Sequence, residues 1–318
     1  MLLKQLMEAY ELLDRPDASG KIVKEYLQSI RPEADVTTYM LEGKHGTTDM
    51  LKVVIPGKHG KRSGGTAPTI GLIGRLGGMG ARPEAVGMVS DADGAWIVTA
   101  IAAKLLDMQN KGDCLEGDVM VSTHLCPDAP TSPHKPVAFM GSPVSTAQLN
   151  KEEVNDEMDA ILTVDSTRAN RYVNHRGFAI TPTIKEGWIL RISEDLLDIV
   201  QNATGEMPYV MPITMQDLTP YGNGTFHINS IIQPSTATQC PVVGVATTAA
   251  VPVAGCATGV NPIIDLEAAA RFMIEACIAF TKGDCSFYDP DEFAELQERY
   301  GSMSHLQTFG SKGPVDDR

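Results

Sequence analysis

Apolar residues near the start of the chain recur at helical spacing: Leu2, Leu3, Leu6, Met7, Tyr10 and Leu13, then, beyond the break RPDASG, Ile22, Val23, Tyr26 and Leu27. The spacing predicts helix on both sides of that break. Asp35–Leu41 and Met50–Ile55 read as strands flanking the Gly-containing turn EGKHG, and PGKHGKRSGGTAP as a basic, flexible surface loop. A stronger rhythm follows. TIGLIG (69–74), DVMVSTHL (118–125), DAILTVDS (159–166) and PVVGVATT (241–248) are short apolar runs of the kind buried in parallel sheets. Between them lie amphipathic stretches. Residues 90–112 carry Ser90 and Asp93 in capping-box spacing and stop at Gly112. Ser193 precedes EDLLDIVQNATG, Asp265 opens DLEAAARFMIEACIAFTKG, and DPDEFAELQERYG reads as a last helix. The run 179–193 predicts a hairpin turning at Glu186–Gly187.

Strands alternating with helices predict an α/β protein, a three-layer α/β/α arrangement around a mixed, mainly parallel sheet. No composition break splits residues 1–318, so one domain is expected, with an excursion from the main sheet at 171–240 and a disordered tail from about 303. With 26 basic against 40 acidic side chains the net charge is −14, which excludes nucleic acid and an anionic membrane surface as partners. Acidic residues interrupt the apolar ones of MLLKQLMEAYELLDRPDASG, no apolar run approaches the ~20 residues of a membrane span, and six cysteines stand singly with no CxxC. These features predict a reduced, cytoplasmic protein.

Ligands of open α/β sheets bind beyond the carboxyl ends of the strands. Arg75 follows the first apolar run, Asp91 and Asp93 its glycine loop, and His124, Cys126 and Asp128 the second run. Asp165 closes the third, His175 and Arg176 come soon after, and Asn223 and His227 lie in a polar Gly-rich loop. Carboxylates and imidazoles are the ligands of a divalent metal, which activates water for attack on a carbonyl. Each residue has a structural alternative: Asp93 as a capping carboxylate, Asp91 as a helix N-terminal charge, His124 as a hydrogen-bonded core histidine, Asp128 as a turn former. Cys256, in AGCATG, and Cys126 are candidates for thiol chemistry, with buried, inert thiols as the alternative. RLGGMGARPEAVG contains neither GxxxxGK[ST] nor GxGxxG.

The order of these elements resembles the co-catalytic zinc aminopeptidase and deacetylase fold, a phosphorylase/hydrolase-like layout. In that family a bridging aspartate before a helix is followed by glycine, as Asp91-Ala-Asp-Gly94 is here, and Asp165 fits a later ligand. The family's first histidine and aspartate fall on Arg75 and Gly77, its paired glutamates near His124–Leu125, and its last histidine near Gly255. The phrases SDADGA, THLCPDAPTSP, QDLTPYGNGTFHINS and QPSTATQCPVVGVA resemble the prokaryotic domain-of-unknown-function family 1177, which brings no agreed activity.

Two functions are expected. The first is a metal-dependent hydrolase of an amide or peptide-like small molecule, a homo-oligomer. Its metal is zinc, with manganese or cobalt as alternatives, on Asp91, His124, Asp165 and His227. Asp93 or Asp128 is its base, and Arg75, His175, Arg176 and Asn223 hold the substrate. The second is a non-catalytic small-molecule-binding or scaffolding protein on a degenerate zinc-peptidase fold. A cysteine-based reading through Cys256 is the third.

Overall fold

A computed structural model describes residues 1–75, 77, 88–132, 139–167, 169–251 and 261–308. Its elements are α1 (Leu3–Leu13), α2 (Gly20–Ile30), β1 (Asp35–Gly43), β2 (Gly46–Ile55), β3 (Ile70–Gly74), α3 (Asp93–Asn110) and β4 (Val119–Leu125). There follow β5 (Thr131–Ser132), β6 (Phe139–Met140), α4 (Thr146–Glu153), β7 (Ala160–Thr167), β8 (Gly177–Ile180), β9 (Ile184–Lys185) and β10 (Trp188–Ile189). The chain continues through α5 (Glu194–Thr204), β11 (Val242–Thr248), α6 (Ile263–Lys282) and α7 (Pro290–Tyr300).

The sheet runs β1-β2-β4-β3-β7-β11-β9-β10, with β8 also on β11. Its centre, β4-β3-β7-β11, is parallel, and antiparallel pairs lie on both sides. The predicted mixed α/β sheet is therefore present. Alternation along the strands separates two cores. Leu72, Val121, Leu162 and Val245 face α1, α2, α3, α5 and α6 in the main cluster, while Ile73, Met120, Ile161 and Val242 form another. Helix α3 is buried along nearly its whole length, which explains why it is apolar all round. Trp96 Nε1 of α3 donates to Leu6 O at 2.6 Å and ties α1 down.

Most predicted elements appear within a residue or two of their expected limits. Ser193 caps α5 through Leu196 N, and the hairpin turns at Glu186 and Gly187, both at positive φ (49° and 81°). Two expectations are corrected. Asp93 does not serve as a capping carboxylate: α3 begins at Asp93 itself, after Ala92, which offers no side-chain cap, and the carboxylate accepts from Thr247 Oγ1. The basic loop at 56–68 is fastened, because the buried Asp118 carboxylate accepts from Gly57 N (2.8 Å) and Arg62 N (2.9 Å) while Lys61 and Arg62 pair with Asp159 and Glu157. Of the tail expected from about 303, residues 303–308 are described and the rest lies outside the described residues; within 303–308 Gln307 is buried, and its Nε2 donates to Ser235 O (2.6 Å) and Thr238 O (2.8 Å). No helix among the described residues is long and apolar enough to cross a membrane.

Candidate functional site

The carboxyl ends of β3, β4 and β7 carry the candidate centre. Strand parity puts Arg75, His124 and Asp165 on the side of the sheet opposite α3, where α4 lies. Close approach of backbone makes this possible. A Cβ on Gly94 would stand 2.3 Å from Arg75 O and 2.5 Å from Val164 O, so only glycine lets the start of α3 rest on the strand ends. Arg75 N donates to Val164 O at 2.8 Å, which fixes where its side chain departs.

Helix α4 begins with the capping box Ser145–Gln148 and turns Leu149, Asn150 and Glu153 inward. Arg75 Nη1 donates to Asn150 Oδ1 at 2.9 Å and to Glu153 Oε2 in a short ion-paired bond. The guanidinium is 2% exposed and its partner carboxylate 0%, so neither charge has water to fall back on. Burial pushes the Glu153 pKa up, but Arg75 and His124 outweigh it and hold the carboxyl below its ordinary range. Gly77 N donates to His124 Nε2 at 3.3 Å, which places the proton of a neutral ring on Nδ1. That Nδ1 stands 3.5 Å from Glu153 Oε1, an ion-pair distance at which neither atom has a well-formed hydrogen bond. Asn150 Nδ2 extends the network to Thr236 Oγ1 at 3.1 Å.

Three aspartates lie at these strand ends, Asp165 on the network's side of the sheet and Asp93 on the α3 side, where Thr247 holds it. Asp165 Oδ1 accepts from Ser166 N at 2.7 Å. Burial first, and Asp91 next, push its pKa up to about 8 against the pull of Arg75. Asp93 Oδ2 accepts from Thr247 Oγ1 at 3.0 Å and from Asn261 Nδ2, while Oδ1 is buried with no hydrogen bond. Burial raises Asp93 to about 7, although both partners favour the ionised form. Asp91 is partly buried and acts electrostatically on both. Arg75 Nε, His124 Nδ1 and Glu153 Oε1 of the network are buried with no hydrogen bond, and so, around Thr247, are Asp93 Oδ1 and Asn261 Oδ1. Buried polar groups are nearly always paired, so each of these atoms asks for a partner that the described residues do not supply.

The other predicted residues lie apart from this centre. His227 Nε2 is 3.2 Å from Thr219 Oγ1 and its Nδ1 3.1 Å from Thr225 O, within a loop that also holds the exposed Asn223. His175 stacks on Tyr209 with centroids 3.5 Å apart, and Arg176 pairs with Asp265 at 3.3 Å. Asp128 is exposed in a turn. Burial pushes the Cys126 thiol up to about 11, the environment of an inert thiol, and Cys256 lies outside the described residues.

A metal of the kind this fold family holds does not fit the described donors. Both nitrogens of His124 face protein groups, as do those of His227, a guanidinium stands where the first ligand is expected, and no three His, Cys, Asp or Glu side chains among the described residues are placed to share an ion. Asn150, Glu153, Thr247 and Asn261 were not predicted. The spacing Ser145-x-x-Gln148 ahead of Leu149 is the signal that α4 and its inward carboxylate offered.

The family profile described as "Protein of unknown function (DUF1177)" matches residues 39–310. No curated protein sequence matches. Among solved structures, a glutaminyl cyclase from an Acidobacteriales bacterium superposes with a TM-score of 0.51 at 14% identity over 89% of this chain and 94% of that one. The bottromycin maturation enzyme BotP gives 0.53 at 15% over 88% and 70%, and a further BotP structure is a complex with Mn. Leucine aminopeptidase of Caenorhabditis elegans gives 0.51 at 11% over 90% and 66%. The chain has this zinc-peptidase-like fold; identities so low establish the fold alone.

Proposed function

This chain belongs to the DUF1177 family of proteins of unknown function, and from that membership, its fold and its strand-end centre we propose that it is a hydrolase of amide- or peptide-like small molecules. The observation that carries the proposal is two buried carboxyl groups at the strand ends, Asp93 and Asp165, raised to about 7 and about 8, the second of them facing the charge of Arg75. Proton transfer at neutral pH works best with groups titrating close to it.

Asp93, ionised, takes a proton through its unpartnered Oδ1 as water oxygen bonds to the substrate carbonyl carbon. Asp165, protonated, gives its proton to the nitrogen as the C–N bond breaks, leaving an acid and an amine. Proton return through solvent resets the pair. Arg75 stabilises charge developing on the carbonyl oxygen. No step is routed through a metal.

The test is release of amine from a panel of amino-acid amides and dipeptides in the presence of EDTA. Turnover that survives the chelator and is lost in Asp165→Asn agrees with the proposal. Turnover abolished by EDTA and restored by zinc or manganese contradicts it. A second reading, a non-catalytic small-molecule-binding protein, is favoured by the buried Arg75–Glu153 ion pair, which occupies the place where the fold family's first ligand is expected. It is the account left standing when no amide is cleaved while one of them raises the melting temperature.

A further inference from the structure

A second site lies away from the strand-end centre and does not rest on the hydrolytic reading. A cleft of about 380 Å³ opens between the end of α5, β8 and the first turns of α6. That volume lies in the range of small-ligand sites. Its lining combines two cations, two anions and an apolar surface. Arg176 and Arg271 supply the positive charges, Asp265 and Glu206 the negative ones, and Met207 and Tyr209, 75% and 48% exposed, part of the apolar wall.

Neither guanidinium is fully used. Arg176 meets Asp265 through two contacts of 3.3 Å, and Arg271 meets Glu267 at 3.4 Å. Well-made charge-assisted bonds are about 2.7–2.9 Å. Arg271 Nε is buried with no hydrogen bond at all. The Tyr209 ring is held flat by His175 stacked on it, with centroids 3.5 Å apart and planes 19° from parallel. A rigid aromatic face with loosely held charges beside it is prepared for a ligand, because little has to be ordered on binding.

The presence of both signs decides the ligand class. A polyanion such as phosphate would meet two carboxylates as well as two guanidiniums. A single carboxylate can bridge the arginine donors, a single ammonium can sit by Asp265 and Glu206, and an apolar side chain can cover Met207 and Tyr209. We propose that this cleft binds a zwitterionic amino acid with an apolar side chain. Its walls run into the supports of Asp93: Phe178 of β8 is in register with Thr247, and α6 follows directly on Asn261.

Calorimetric titration of the full chain with L-leucine, L-methionine and L-phenylalanine tests this. Isocaproate and isoamylamine, each lacking one charge of leucine, serve as controls. At least one amino acid should bind, and each single-charge analogue should bind about tenfold or more weakly than leucine. Arg271→Ala and Arg176→Ala should each weaken amino-acid binding by about tenfold or more. The Arg176 side chain is 65% exposed, so its removal leaves folding intact even where Arg271→Ala does not. The proposal is overturned if none of the three amino acids binds, if binding survives Arg176→Ala unchanged, or if Asp165→Asn abolishes it and the arginine variants do not.

Discussion

Replacing Asp165 by asparagine should stabilise the protein at alkaline pH, although it alters a fully buried position. The carboxyl titrates at about 8 in the folded chain, with burial and then Asp91 as the causes, against about 3.9 when unfolded. A folded-state pKa above the unfolded one means that the native state holds a proton the unfolded state has lost. The associated stability is complete below about pH 4, falls as pH rises through the interval to about 8, and is flat beyond. Four units at about 1.36 kcal/mol each set a ceiling of about 5 kcal/mol. Asparagine is neutral throughout and keeps an oxygen for Ser166 N, the bond now 2.7 Å long. Urea denaturation in EDTA is the assay. Relative to wild type, Asp165→Asn should be within ~1 kcal/mol at about pH 5 and more stable by ~2–4 kcal/mol at about pH 8. A variant less stable than wild type at both values, by the same amount, would refute the reasoning.

Glu153→Leu strands the buried Arg75 charge and should cost ~3–5 kcal/mol in urea unfolding, whereas adding Arg75→Met should recover much of the loss; equal losses in single and double variants would contradict this. Gly94→Ala would drive a methyl to 2.3 Å from Arg75 O, so a loss of ~1–3 kcal/mol is expected from the same measurement, and a neutral effect would deny the close approach. Asp217→Asn should speed hydrogen exchange at Ile228 and Asn229, whose amides reach Asp217 Oδ1 at 2.6 and 3.2 Å, and unchanged exchange would show that the 219–229 loop is held by other contacts.

The parallel core was legible because β3, β4, β7 and β11 are apolar on both faces, and a buried strand needs no other signal. Asp165 stood out for the same reason, as a charge ending an apolar run. What the sequence did not disclose was which polar residues meet. Glu153 lies 78 positions from Arg75 and Asn261 lies 168 from Asp93, distances along the chain that no local pattern spans. His124 looked like a metal ligand because its ring type permits it; its fate was decided by Gly77 N and by α4. Asp93 sat in capping-box spacing, yet tertiary partners on β11 and before α6 claimed the carboxylate. The 56–68 loop looked free because glycines and lysines are common in free loops, and one distant carboxylate, Asp118, fastens it.

Elemental analysis of protein purified without an affinity tag tests most directly whether Arg75 and its carboxylate neighbours have taken over the place of the metal. Well under one zinc, manganese or cobalt per chain, in protein that still cleaves an amide or binds a ligand, is the predicted result. One ion per chain, lost together with function in Asp165→Ala, would contradict it.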